Sequence, residues 1–152
     1  MDTPSLISVL SLMVALAALF IAPYFSHRQA VAQMRQVWIN DLRDRVAELL
    51  SLACTPEVAL AFREIDAEPP PEDYMRLMML ESKIELLLNP EQELHRQLIA
   101  LVHALVELIH KTRRQVGEKK FIDRKAELEL DITAVTQRII RNEWARTKQF
   151  IR

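Results

Sequence analysis

A single glycine, Gly117, occurs in the 152 residues. That scarcity excludes a glycine-rich phosphate loop, which needs several positions without a Cβ. A single cysteine, Cys54, excludes an intramolecular disulfide and fits a reducing compartment. No Cys–His nucleophile motif is present, and Cys54 falls on the apolar face of its segment, where a buried, inert thiol is expected. Aromatic residues make up only 6% of the chain, whereas Leu, Ala, Glu, Arg and Gln abound, which is a helical composition. There is no internal repeat and no low-complexity tract. The formal net charge of −1, with both signs mixed, argues against a general nucleic-acid binder.

Charge is also missing from one long stretch. No Asp, Glu, Lys or Arg occurs from Thr3 to Ser26. Leu6 to Phe25 is 20 residues long, and a bilayer core takes roughly 20 apolar residues in a helix. A soluble core helix would carry a polar stripe, and here only Ser8 and Ser11 interrupt the run. A secretory signal wants a basic n-region and a shorter apolar run. The flank "MDTPS" is acidic instead, although Ala15, Ala17 and Ala18 could pass for a cleavage site. The expectation is an uncleaved transmembrane helix within residues 1–26. Its N-terminal flank has no Lys or Arg, while Arg28, Arg35, Arg43 and Arg45 follow it, so residues 27–152 are expected in the cytoplasm and the N-terminus outside.

Residues 27–152 read as one all-α domain with 20 basic and 20 acidic side chains, since Asp2 is the only charge before them. Val31, Met34, Trp38, Leu42, Val46, Leu49 and Ala53 recur at helical spacing, so the membrane helix is expected to continue into a stem, with Pro23 at most a kink. Thr55-Pro56-Glu57 reads as the start of a second helical piece to about Asp66, and Ala67 to Asp73 as a stiff proline connector. A helix over about Glu72–Leu88 stops at Asn89-Pro90, where another starts with Asn89 as cap and runs to about Val116. Leu94, Leu98, Leu101, Val102, Leu105 and Ile109 form its apolar face. Gly117 sits where a left-handed C-cap is expected, and the last helix covers about Lys119–Ile151. The last two long helices should form an antiparallel hairpin. Both tryptophans, Trp38 and Trp144, are expected to pack in the bundle.

Glu107 and His110 match the Glu-x-x-His pattern of di-iron bundles, and His103, Glu107 and His110 share a helix face. A di-iron bundle needs a second copy and two further inward glutamates. None is found, because His95 follows Gln92 at that offset. The expected reading is a polar helix edge; Glu81, Glu85, Glu91 and Glu93 are likewise expected to face water. No catalytic, cofactor or metal site is therefore assigned, and neither an enzyme activity nor a small-molecule substrate is expected.

Charge is unevenly spread. Asp41 to Asp73 holds nine acids and three bases, whereas Lys111 to Lys120 and Arg138 to Arg152 each hold five bases and one acid. Such basic ends meet anionic lipid, nucleic acid or the acidic segment of the same chain. The internal pairing is the expected one, and no aromatic interleaving points to nucleic acid.

Three strings, "WINDLR" (Trp38 to Arg43), "SKIELLLNPEQELHRQL" (Ser82 to Leu98) and "NEWARTK" (Asn142 to Lys148), together with the N-terminal run, resemble a group of small bacterial and phage- or prophage-encoded single-pass membrane proteins. The resemblance covers most of the chain in order, on short strings. It implies a bacterial membrane setting and no particular activity. Association with mobile elements would make phage defence or interference with the host membrane a role by analogy.

The expected protein is thus a membrane-anchored helical interaction or assembly module. It partners with the lipid bilayer and with helices of a second copy or of another protein. The alternative is a membrane-disrupting effector whose assembly gathers the anchors into a leak. Ala15, Ala17, Ala18 and Ala22 offer a small-residue face for close helix packing under either reading.

Overall fold

The computed structural model describes the backbone of residues 3–54, 72–111 and 119–151. The chain is all-helical. Four helices fall in the described residues: α1 (Thr3–Ala53), α2 (Glu72–Leu87), α3 (Glu93–Lys111) and α4 (Lys119–Ile151). The expected helical piece over 55–66, most of the proline connector and the Gly117 cap lie outside the described residues.

α1 passes through Pro23 without a break and joins the apolar run to the stem as one helix. A proline removes one backbone donor, and the hydrogen bonds of the turns on either side hold the helix together. The side chains of residues 1–10, 14–15, 17–18 and 20–25 lie outside the described ones. Among the described residues no helix is long and apolar enough to cross a membrane. The large apolar side chains of the run that are described, Leu12, Met13, Leu16 and Leu19, are all exposed.

The core forms around the second half of α1. Leu42, Val46, Leu49, Leu52 and Ala53 meet Leu77, Leu80 and Ile84 of α2, Leu98, Val102, Leu105 and Ile109 of α3, and Leu128, Ile132, Val135 and Ile139 of α4. Each set recurs at three- and four-residue spacing and so stands on one helix face. Fully burying a Leu or Ile contributes about 1.5–3 kcal/mol, so this set, rather than intrinsic propensity, holds the helices together. The stem face is wider than the expected stripe, because Ile39 is fully buried. It is also shorter toward the apolar run, where Met34 and Val37 are 73% and 68% exposed.

Two cross-links fix how α4 lies on α1. Arg35 pairs with Glu143, while Cys54 lies beside Lys125 and Glu129. Position rises along α1 as it falls along α4, so the two are antiparallel. The start of α2 likewise meets the far half of the stem, through Arg76 and Glu48, and its end meets Trp38. The start of α3 and the end of α4 share one cleft through His95 and Glu143, although the opposite ends of these helices are joined by a short link, so α3 and α4 form the expected antiparallel hairpin.

The α2–α3 junction follows from its sequence. Pro90 has no N–H and disfavours a helical Asn89, which stops α2. The Asn89 side-chain oxygen then accepts the Glu91 N–H at 2.9 Å, and the Asn89 carbonyl accepts the Gln92 N–H at 3.1 Å. This is an Asx turn rather than a direct helix cap, so α3 begins at Glu93, three residues later than the spacing of Asn89-Pro90 predicts.

Candidate functional site

The end of the bundle nearer the apolar run holds a cleft of about 480 Å³ between α1, the α2–α3 junction and α4. Its walls come from all three strings noted above: Trp38 from the first, Leu87, Asn89, Gln92 and His95 from the second, Glu143 and Arg146 from the third. Val31, Met34 and Arg35 of the stem complete it. Segments far apart in sequence are brought together there by the antiparallel packing of α1 with both α2 and α4.

Trp38 ties the floor together. Its indole N–H donates to the Leu87 carbonyl at 2.8 Å, one of the last carbonyls of α2 and so without a partner inside its own helix. Its ring stacks on His95, with centroids 5.9 Å apart and planes 19° from parallel. His95 is buried, and its Nδ1 accepts the Asn89 N–H at 3.0 Å. An accepting Nδ1 carries no proton, so the ring is neutral with its hydrogen on Nε2. Burial pushes the His95 pKa down, the nearby Glu143 carboxylate pulls it up and the Arg146 guanidinium pushes it down. The dominant burial effect and the hydrogen bond favour the same neutral form.

Opposite this aromatic floor stands an arginine–glutamate–arginine group. Glu143 is buried; its Oε1 accepts from Arg146 Nη1 at 2.6 Å, and its Oε2 lies 3.5 Å from Arg35 Nε. Two guanidiniums thus share one carboxylate, and with neutral His95 the cleft holds one net positive charge. Arg35 is largely covered, whereas Arg146 is 54% exposed and presents its edge to solvent. Val31, Met34, Trp38 and Leu87 supply its apolar part and the other lining residues are polar or charged; an open hollow of this size has the form of a small-ligand site.

The residues singled out in the sequence are dispersed by the fold. His103 Nδ1 lies 2.9 Å from Glu81 Oε1, while His110 lies 3.3 Å from the Tyr74 hydroxyl and stacks on that ring. Among the described residues no group of three His, Cys, Asp or Glu is placed to hold a metal ion. Glu85, Glu91 and Glu93 are exposed, and Glu81 is half-buried through its contact with His103. Cys54 departs from expectation. It is exposed at the end of α1, with its Sγ 3.4 Å from Glu129 and 3.7 Å from Lys125, because the stem's apolar face closes at Ala53. Trp144 also departs from expectation and is 39% exposed, since Glu143 and Thr147 take the inward positions on that turn.

Arg35, His95 and Glu143 carry the cleft, yet their individual roles are not evident in a linear reading. Arg35 falls among the apolar positions of the stem, and Glu143 is the one acid among the C-terminal bases. A charge on a buried stripe and a lone opposite charge in a basic run are the signals that pair them. Comparison of the chain with family models, with curated proteins and with solved structures gives no match.

Proposed function

We propose that the chain is a single-pass membrane protein, N-terminus outside, whose helical bundle is a cytoplasmic interaction and assembly module without catalytic activity. The observation that supports it is the continuity of α1. One helix carries an uncharged 20-residue run, Leu6 to Phe25, whose described large side chains stay uncovered, and then forms the central element of a packed core. A helix built this way couples the anchor rigidly to the bundle. The arginines that follow the run, with no Lys or Arg before it, favour a cytoplasmic bundle. A bacterial membrane is the setting implied by the resemblance of the three strings.

Assembly is the second part of the reading. Val37 stands exposed on the stem between the run and the core, uncovered by the described helices. The sequence places Ala15, Ala18 and Ala22 a helical turn apart in the run, the pattern that lets membrane helices approach closely. Two weak contacts on one rigid helix reinforce each other through effective concentration. The test is the mass of the detergent-solubilised chain across the micromolar range. The expected result is an oligomer that Val37→Asp dissociates while helix content is kept. A wild type that is monomeric throughout overturns the assembly reading.

A further inference from the structure

The cleft's position relative to the anchor gives it a ligand. This step rests on the membrane reading above. At about 1.5 Å per residue, Val31 stands roughly 9 Å and Arg35 roughly 15 Å beyond Phe25 along α1. The headgroup layer extends about 5–7 Å beyond the hydrocarbon core. The cleft's lower rim therefore lies just outside the headgroups, within the reach of an arginine side chain. α4 returns toward the same surface. Lys148 lies five residues beyond Glu143 and so roughly 7.5 Å nearer the membrane.

On α1 and α4 bases outnumber acids at this end, whereas the α2–α3 junction carries the exposed Glu91 and Glu93, the latter paired with Arg96. From Ser26 to Asn40 the stem holds Arg28 and Arg35 and no acid, and the antiparallel α4 brings Arg146 and Lys148 against that stretch. Arg146 and Lys148 therefore lie opposite the acid-free part of the stem, not opposite its acidic segment from Asp41 onward. Glu143 is the one carboxylate among the cleft residues, and two arginines share it. Cytoplasmic leaflets are rich in anionic lipid, which attracts such bases at the surface.

We propose that this cleft binds the anionic headgroup of a membrane phospholipid. Arg146 reaches toward the membrane and donates to the phosphate, Arg35 adds its charge from deeper in the cleft, the Gln92 amide meets the headgroup's polar end, and Val31 and Met34 form the apolar wall beside it. The bound lipid fixes the bundle's orientation on the membrane.

The experiment uses the full chain in neutral detergent with Trp144→Phe, which leaves Trp38 on the cleft floor as the only tryptophan. Dihexanoyl phosphatidylglycerol, dihexanoyl phosphatidylcholine and inorganic phosphate are titrated separately while Trp38 emission is followed. The expected result is a saturable change with phosphatidylglycerol alone. Arg146→Gln and Met34→Glu, both at exposed positions, should weaken it about tenfold or more with helix content unchanged. No saturable change with phosphatidylglycerol, an equal response to phosphatidylcholine, saturation by phosphate at the same concentration, or variants that bind like wild type would each overturn the proposal. Alkaline carbonate extraction of membranes carrying the same chain separates the two claims. Release by carbonate with lipid binding intact removes the anchor reading alone. Retention without binding removes the headgroup site alone.

Discussion

Trp38 of the stem donates its indole N–H to the carbonyl of Leu87, 49 positions further along the chain, at 2.8 Å. One bond thus fastens the stem to the last turn of α2, and the stack on His95 extends the fastening to α3. Trp38→Phe keeps an aromatic ring over His95 and deletes the donor. The expected cost is about 1 kcal/mol, a drop of roughly 2–4 °C in the unfolding midpoint of a chain this size. Circular dichroism melts of the detergent-solubilised chain measure it. An unchanged midpoint would show that the bond contributes nothing.

His95 makes stability depend on pH. Burial holds its folded pKa below the ordinary 6.5, with Glu143 opposing and Arg146 adding to the effect. The unfolded chain then binds more protons than the folded one in the window below 6.5, so stability rises with pH there. The contribution is complete above about pH 6.5 and is lost as pH falls through the folded pKa. Acidification from about pH 7.5 to about pH 5 should lower the unfolding midpoint of wild type and leave His95→Gln less affected. Glu48, whose pKa its hydrogen bond to Arg76 lowers, acts only below the carboxylate range and does not overlap that window. Equal pH profiles for wild type and His95→Gln would remove His95 from the account.

Two positions of one stripe should respond in opposite ways. Leu42 is fully buried, and Leu42→Asp places a charge in the core, at an expected cost above about 3 kcal/mol and with loss of the folded bundle. Met34 is exposed, so Met34→Asp should change stability by less than about 0.5 kcal/mol. Urea titration followed by far-ultraviolet circular dichroism compares them. Similar losses at both sites would mean that Met34 is covered.

The Cys54 thiol is exposed yet should react slowly. Partial desolvation pushes its pKa up, the Lys125 ammonium lowers it, and the Glu129 carboxylate raises it further. Labelling by a disulfide reagent at about pH 8 should therefore be complete but slower than for a free thiol of ordinary pKa near 8.5. Glu129→Gln should speed it and Lys125→Met should slow it. The reverse order would show that the two charges are not placed around the sulfur as described.

The helices were legible where composition and breakers act locally. Asn89-Pro90 marks the stop between α2 and α3, and the bounds of α2 and α4 follow from Glu72 and Lys119. The continuity of α1 through Pro23 was legible because a proline breaks little in a long helix flanked by intact turns. The cleft was not legible, because it depends on tertiary register. Nothing local says that Arg35 meets Glu143, or that the neutral ring of His95 lies under Trp38. The same gap explains Cys54 and Trp144. Each lies one position outside a buried set, at Ala53 and Glu143, and helical spacing alone does not say where a buried face ends.

The central claim is that one helix joins an anchor in the membrane to a bundle in the cytoplasm, and a topology reporter tests it most directly. A protein that fluoresces only in the cytoplasm, fused after Arg152 of the full chain, should light up in the membrane fraction of bacterial cells. A periplasm-dependent enzyme at the same position should stay silent. A dark fluorescent fusion with an active periplasmic one would reverse the orientation, and fluorescence found only in the soluble fraction would contradict the anchor itself.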